Sequence, residues 1–194
     1  MNHSELLSSA IVESFSLPNL TLMLGNWQEL ELRPRDAKEN FPGTIARLDV
    51  SVWMNLSSLL PQQLAYLRTH ECLSARVRRL TPGDLVSEIP LIHFDNGVIN
   101  FLHFLETPHP SSPTTFLRHL ATGSVRASIE RPTHLLYQTL DFPREYERAW
   151  EEWYAVVPER GTTVVFDGHL FHMGPRQLTG DRWTLEVSLR RTHP

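Results

Sequence analysis

Hydrophobic and polar positions alternate most clearly in the second half of this chain. Residues 98–105 (VINFLHFL) put Val98, Asn100, Leu102 and Phe104 on one side of an extended segment and Ile99, Phe101, His103 and Leu105 on the other. A run this apolar on both sides predicts a buried strand. Residues 162–166 (TTVVF) and 183–189 (WTLEVSL) predict the last two strands, and residues 75–80 (ARVRRL) alternate until Thr81-Pro82-Gly83-Asp84 stops them. Residues 116–120, 124–129 and 134–139 predict further short strands, and Pro108, Pro110 and Pro113 close the strand that begins at 98.

The first third reads differently. Residues 4–16 carry Leu6, Leu7, Ala10 and Ile11 at helical spacing. Residues 20–24 and 29–32 predict short strands around a Gly25-Asn26 turn. Residues 34–43 are polar and turn-rich, and 45–53 are mixed. Residues 55–66 predict a helix that Pro61 interrupts or starts. Residues 146–154, aromatic and acidic, also read as helix. Many short strands between turn signals predict a mainly β protein, a sandwich or barrel, with N-terminal helices packed on its outside. No linker divides the chain, so residues 1–194 are read as one domain. In it, residues 1–74 support a β core over 75–190.

Composition narrows the function classes. The chain has 194 residues, 41% hydrophobic and 21% charged, with 18 Lys+Arg against 22 Asp+Glu, a net charge of −4. That balance argues against a nucleic-acid partner and against an anionic membrane surface. One cysteine, Cys72, excludes an internal disulfide framework and every multi-cysteine zinc site. No segment reaches the ~20 apolar residues of a membrane span. No basic stretch precedes a long apolar run at the N-terminus, so no signal peptide is expected. A cytoplasmic location fits. There is no G-x-S-x-G, no phosphate-cradling glycine loop, and no pairing of Asp49, Glu88 or Glu130 that would serve glycoside hydrolysis.

The ten histidines carry the chemistry, through their positions. His93-Phe94-Asp95 stands just before a predicted strand, and in extended backbone its first and third side chains share a side. His172 follows the strand and turn Val164-Val165-Phe166-Asp167-Gly168. Two imidazoles and one carboxylate form a facial triad that leaves positions open on a non-haem Fe(II) centre. Arg182 lies ten residues after His172. A guanidinium there can pair bidentately with a carboxylate, such as the distal end of 2-oxoglutarate. Thr184, two residues on, points the same way and can add a hydrogen bond.

His-x-Asp, a second His, then Arg with a hydroxyl residue at +2 resembles the Fe(II)/2-oxoglutarate-dependent oxygenases. Phe166-Asp167-Gly168-His169-Leu170-Phe171-His172 looks like the FDxxxxH stretch of the aspartyl/asparaginyl β-hydroxylase and proline hydroxylase-like branch, and Asn100-Phe101-Leu102-His103-Phe104-Leu105 resembles the strand after its first ligands. The resemblance covers residues 75–190. It implies a double-stranded β-helix, jelly-roll or cupin-like, with His93, Asp95 and His172 on iron and Arg182 on 2-oxoglutarate. The implied reaction consumes O2, turns 2-oxoglutarate into succinate and CO2, and hydroxylates an unactivated C–H bond. The implied substrate is small and polar: an amino acid, a metabolite derived from one, or a peptide residue. Asp95 disfavours halogenation, because halogenases of this class carry a small residue there.

Several residues keep two readings. His169 competes with His172 but stands 13 residues from Arg182, and loop or supporting residue fits it better. His103 is either a hydrogen-bonded core histidine or a contact inside the barrel. His103-Phe104-Leu105 could also imitate a first-ligand His-x-Gly, but the company of Asp95 favours His93. Arg118 and Arg176 are either surface residues or anchors for a substrate carboxylate. Arg76, Arg78 and Arg79 read as a solvated strand face, one of them able to point into the barrel. Trp150, Trp153 and Tyr154 read as packing residues. Two rival functions stand beside the oxygenase: a cupin-like metal isomerase or 2-oxoglutarate-independent oxygenase, and a non-catalytic binding module.

Overall fold

The alternating segments build two antiparallel sheets. The structure, a computed structural model, describes residues 12–34, 43–85, 92–95, 98–127 and 149–190. The larger sheet has seven strands: β1 (Val12–Ser16), β2 (Arg33–Pro34), β3 (Thr44–Leu48), β4 (Glu71–Leu80), β5 (Ile99–Glu106), β8 (Thr162–Asp167) and β10 (Arg182–Arg190). Their order across the sheet is β1-β8-β5-β10-β4-β3-β2. The smaller sheet runs β7 (Trp150–Val156), β6 (Thr114–His119), β9 (His172–Met173). This is the expected mainly β architecture, and strands from the first third join the same sheet as those of the β core.

The central strand β10 separates two environments. Trp183, Leu185, Val187 and Leu189 face a core made with α1 (Pro18–Met23), α2 (Val52–Ser58) and the 3-10 segment Gln62–Thr69. Leu20, Leu56, Leu64 and Leu67 are the fully buried contacts from that helical layer. Each such leucine contributes about 1.5–3 kcal/mol by leaving water. Arg182, Thr184, Glu186 and Ser188 alternate onto the opposite, inward face. Opposite them in register stand Leu80, Arg78, Arg76 and Ser74 of β4, and Phe104, Leu102 and Asn100 of β5. The inward face is completed by Phe166 and Val164 of β8 and by Phe116 of the smaller sheet. No helix among the described residues is long and apolar enough to cross a membrane.

Several sequence expectations change. Residues 12–16, read as the end of a helix, pair with β8 as strand β1, and residues 4–11 lie outside the described residues. Residues 20–24, read as a strand, fall in α1, whose first position is Pro18, and Trp27–Glu29 forms a 3-10 turn. Tyr146–Tyr154 does not hold as a helix over its described part: Trp150 begins β7. Across a register shift at Phe116/Leu117 its buried side chains recur every third residue, which imitates a helix: Trp150 packs with Leu117 and Phe171, and Trp153 and Val156 pack with Phe116. Of residues 124–129, the described 124–127 carry a single bridge, Arg126 to Leu170, in place of a strand; 128–129 and 134–139 lie outside the described residues.

His103 belongs to the outer face of β5, with Phe101 and Leu105. Its Nε2 meets the Thr21 hydroxyl at 2.8 Å and its Nδ1 the Thr163 hydroxyl at 2.8 Å, so it ties α1 to β8. Neither the barrel contact nor the first-ligand role suits that position, because alternation turns its ring away from the inward face. Burial pushes its pKa down to about 4. Between about pH 4 and 6.5 the unfolded chain therefore binds a proton that the folded chain does not. The stability contributed by this site is whole above pH 6.5 and falls as the pH drops toward 4, by up to about 1.4 kcal/mol per pH unit. Urea unfolding of His103→Gln at pH 7 and pH 5 should show a weaker loss on acidification than the parent. An unchanged loss would show that the imidazole is not buried neutral.

Candidate metal centre

The two halves of the site are joined through backbone. His93 N donates to His172 O and His172 N to His93 O, both at 3.0 Å, so the segment before β5 pairs with β9. Asp95 N donates to Gly168 O at 2.6 Å, and Gly168 N to Val98 O at 2.9 Å. A β-carbon on Gly168 would sit 2.4 Å from Asp95 O and 2.9 Å from Val98 O, so glycine is required by close approach. The turn after β8 is held by Asp167, which accepts from His169 Nδ1 and N at 2.9 Å each and pairs with Arg126. His169 is thus committed to that turn.

These contacts bring His93, Asp95 and His172 together, one donor atom from each lying within 4.8 Å of the others. His172 Nε2 stands 3.6 Å from Asp95 Oδ2, and the two imidazole centroids are 4.0 Å apart. His172 Nδ1 lies 2.8 Å from Leu170 O. A carbonyl only accepts, so Nδ1 carries the proton and Nε2 keeps its lone pair toward Asp95. Burial pushes the His172 pKa down, against the opposing charges of Asp95 and Glu186 and the bond to Leu170. The neutral form thus favoured is the one that ligates a metal. Asn100 donates to Asp95 Oδ2 at 2.5 Å and orients the carboxylate. Phe166 packs edge-on to the His172 ring at 4.7 Å.

Arg182 and Thr184 share the inward face of β10. Arg182, 5% exposed, donates to Thr114 Oγ1 at 2.8 Å and to Ser112 O at 3.3 Å, and its guanidinium lies 4.5 Å from the Phe104 ring centre. Burial lowers its pKa to about 9, so it stays a cation at neutral pH. Thr184 Oγ1 donates to Glu186 Oε1 at 3.4 Å. Glu186 in turn accepts from Arg76 Nε at 2.6 Å and Arg78 Nη2 at 3.0 Å. Burial would raise the Glu186 pKa, but Arg78 and Arg76 hold it below the usual range. Arg76 and Arg78 both face inward, a correction to their reading as a solvated strand face. Arg79 faces out, pairing with Asp181 beside Trp183.

Arg118 pairs with Glu151, and Arg176 with Glu152 at 2.6 Å. Each guanidinium is engaged with a glutamate of β7. Asn100, Thr114 and Glu186 were missed as site residues in the sequence. Asn100 and Glu186 had a signal, each being the polar residue on the wrong side of an apolar strand; Thr114 had none.

The donor set fits a metal. Bonds of about 2.1 Å put adjacent donors on one ion about 3 Å apart; here His172 Nε2 and Asp95 Oδ2 stand 3.6 Å apart and all three donors lie within 4.8 Å of one another. Two imidazoles and one carboxylate without thiolate suit a non-haem divalent iron-type ion.

No family model matches this chain, and no curated protein matches it. Solved structures do. A prolyl-4-hydroxylase from Pseudomonas putida matches over 97% of this chain and 96% of its own, at 16% identity and a TM-score of 0.56. HygX from Streptomyces hygroscopicus, solved with nickel and 2-oxoglutarate bound, matches over 99% and 88%, at 13% identity and a TM-score of 0.61. SnoK, a non-haem alpha-ketoglutarate-dependent carbocyclase from nogalamycin biosynthesis, matches over 98% and 84%, at 13% identity and a TM-score of 0.56. The chain has their jelly-roll fold. In it Arg182 and Thr184 lie on β10 of the larger sheet, His172 on β9 of the smaller, and His93 and Asp95 on the segment before β5.

Gly168→Ala should lower stability by about 1–3 kcal/mol through overpacking against Asp95 and Val98. Gly174→Ala, with nothing within 4 Å of the added carbon, should change it by less than about 0.5 kcal/mol. Urea unfolding of both compares them, and equal effects would remove the argument for close approach at Gly168.

Proposed function

We propose that this chain is an Fe(II)/2-oxoglutarate-dependent dioxygenase that hydroxylates an unactivated C–H bond of a small polar substrate. The substrate class expected from the sequence resemblance is an amino acid, an amino-acid-derived metabolite or a peptide residue. The observation that carries this reading is the convergence of His93, Asp95 and His172, together with a buried cation, Arg182, on the inward face of β10. A metal site alone would fit a cupin-like enzyme; the buried arginine adds the demand for a carboxylate. The sharing of a fold with a prolyl-4-hydroxylase, HygX and SnoK agrees with it.

In this reading His93, Asp95 and His172 would hold Fe(II), and Arg182 the distal carboxylate of 2-oxoglutarate. Bound together, iron and 2-oxoglutarate supply the activation of O2, with succinate and CO2 as co-products. The chain's own residues prepare that chemistry. Leu170 O fixes the His172 tautomer, and Asn100 fixes the Asp95 carboxylate. Phe104 beneath Arg182 and Phe166 beside His172 exclude water, which strengthens ion pairing at both points. Thr114 restricts the Arg182 fork, so a carboxylate meets a donor already oriented. Thr184 stands next along the same face and can donate its hydroxyl to the same carboxylate in place of Glu186.

Anaerobic titration with Fe(II) and then 2-oxoglutarate tests this. A weak visible charge-transfer band should appear in the wild type and be absent in His172→Ala. Arg182→Ala should weaken 2-oxoglutarate binding by about 30-fold or more, the effect of removing one partner from a buried charged pair. Thr114→Val should weaken it by about 3–10-fold. Tight metal binding without a band would favour the cupin-like reading, and no metal binding would overturn both enzyme readings.

A further inference from the structure

Asn100 uses only one end of its amide to hold Asp95. A carboxylate only accepts, so the 2.5 Å bond to Asp95 Oδ2 fixes Nδ2 toward Asp95 and Oδ1 away from it. Asn100 is 6% exposed, yet among the described residues its Oδ1 has no hydrogen-bond partner and is not sealed from solvent. Register sets Asn100 on the inward face of β5, between Ser188 of β10 and Phe166 of β8, and sets Ser188 beside Ser74 of β4. Ser74, Ser188 and Asn100 thus form one rung across three strands, about 5 Å from strand to strand, facing the chamber between the sheets. Both serines are half-buried, and neither hydroxyl is paired or sealed among the described residues. The rung ends at the metal ligands. Asp95 Oδ2 stands 3.6 Å from His172 Nε2, and the Phe166 ring packs against His172. One rung along, Arg76 and Glu186 pair with each other, so this rung itself carries no charge.

A polar atom this confined is costly to leave unmet, and a carbonyl oxygen can be met only by a donor. A carboxylate brings only acceptors and would set oxygen against oxygen at Oδ1. An ammonium could be accepted there, but a divalent ion on His93, Asp95 and His172 outweighs their single carboxylate and repels it. Serine hydroxyls both donate and accept, so they suit either end of a hydroxyl or an amide. We propose that Asn100 Oδ1 accepts a hydrogen bond from an uncharged donor of the substrate, a hydroxyl or an amide N–H, and that the Ser188 and Ser74 hydroxyls bind the polar atoms next to it. The substrate then meets the metal ligands with a neutral polar group, and any charge it carries lies farther off. This deepens the oxygenase reading and rests on it for the word substrate; the polar rung is tested separately.

The test uses the full chain with saturating Zn(II) and 2-oxoglutarate under nitrogen, followed by NMR. Four probes are titrated in: methyl glucoside and N-acetylglycinamide, both uncharged, N-acetylglycine, an anion, and glycinamide, a cation. At least one uncharged probe should shift the Asn100 side-chain amide resonances and bind more tightly than either charged probe. The two uncharged probes compared tell whether hydroxyl or amide is preferred. Ser188→Ala should weaken the favoured probe by about three- to tenfold, the loss of one neutral hydrogen bond, and leave Zn(II) affinity within about twofold. Asn100→Ala should weaken the probe by about tenfold or more at saturating Zn(II), and Zn(II) itself by about 10–100-fold through the loosened Asp95. If Asn100→Ala fails to fold, Ser188→Ala and Ser74→Ala decide the matter, since serines that serve only the sheet would leave probe affinity unchanged. Failure of Zn(II) or 2-oxoglutarate to bind, with an uncharged probe still dependent on Ser188, would sink the oxygenase reading and keep the polar rung. Probe affinity unchanged in both serine variants, tighter binding of a charged probe, or no shift of the Asn100 amide with either uncharged probe would overturn the proposal.

Discussion

Two reciprocal backbone hydrogen bonds between His93 and His172 are the constraint on which the site depends. They join a segment that precedes β5 to a two-residue strand of the other sheet. Side-chain chemistry alone could not do this, because neutral imidazoles have no strong attraction for each other before a metal arrives. The backbone brings the rings to 4.0 Å first, and the Asp95–Gly168 bond adds the carboxylate. The ligand geometry is therefore a product of sheet pairing, and the close approach at Gly168 is what lets the pairing continue to Asp95.

Charge placement follows from the same architecture. A guanidinium is costly to bury, and Arg182 is tolerated because Thr114, Ser112 and the Phe104 ring surround it while Glu186 sits in its field. Glu186 is held ionised by Arg78 and Arg76 against its own burial. The inward face of β10 and β4 is thus a charged strip facing apolar walls that include Phe104, Phe116 and Phe166. Such a strip is stable because its members hold each other.

Much of this was legible in the sequence. Short apolar runs marked β5, β8 and β10, since a strand packed on both faces is apolar on both. His93, Asp95, His172 and Arg182 stood out because their chemistry and order are informative together, and the structure brings the three donors within reach of one another. The N-terminal third was harder. The six residues of α1, PNLTLM, are too short a mixed run to separate a strand from a helix, and only packing under the sheet decides between them. β7 was misread because its aromatic and acidic residues suit a helix as well as a strand, and its buried side chains recur every third residue across a register shift. His103 was ambiguous for a different reason: alternation shows which residues share a side, but not which side faces the metal ligands.

The strict alternation of β10 sets how this molecule can vary. Because neighbouring side chains belong to different compartments, sliding the strand by one residue would drive Trp183 into the chamber and Arg182 into the leucine layer. The ten-residue interval between His172 and Arg182 is a different matter. Most of it is loop, and lengthening a surface loop costs little closure entropy. Relatives of this chain can thus be expected to differ freely in that interval while keeping the parity of Arg182, Thr184 and Glu186. Motif spacing is the wrong quantity to search on, and strand phase is the right one.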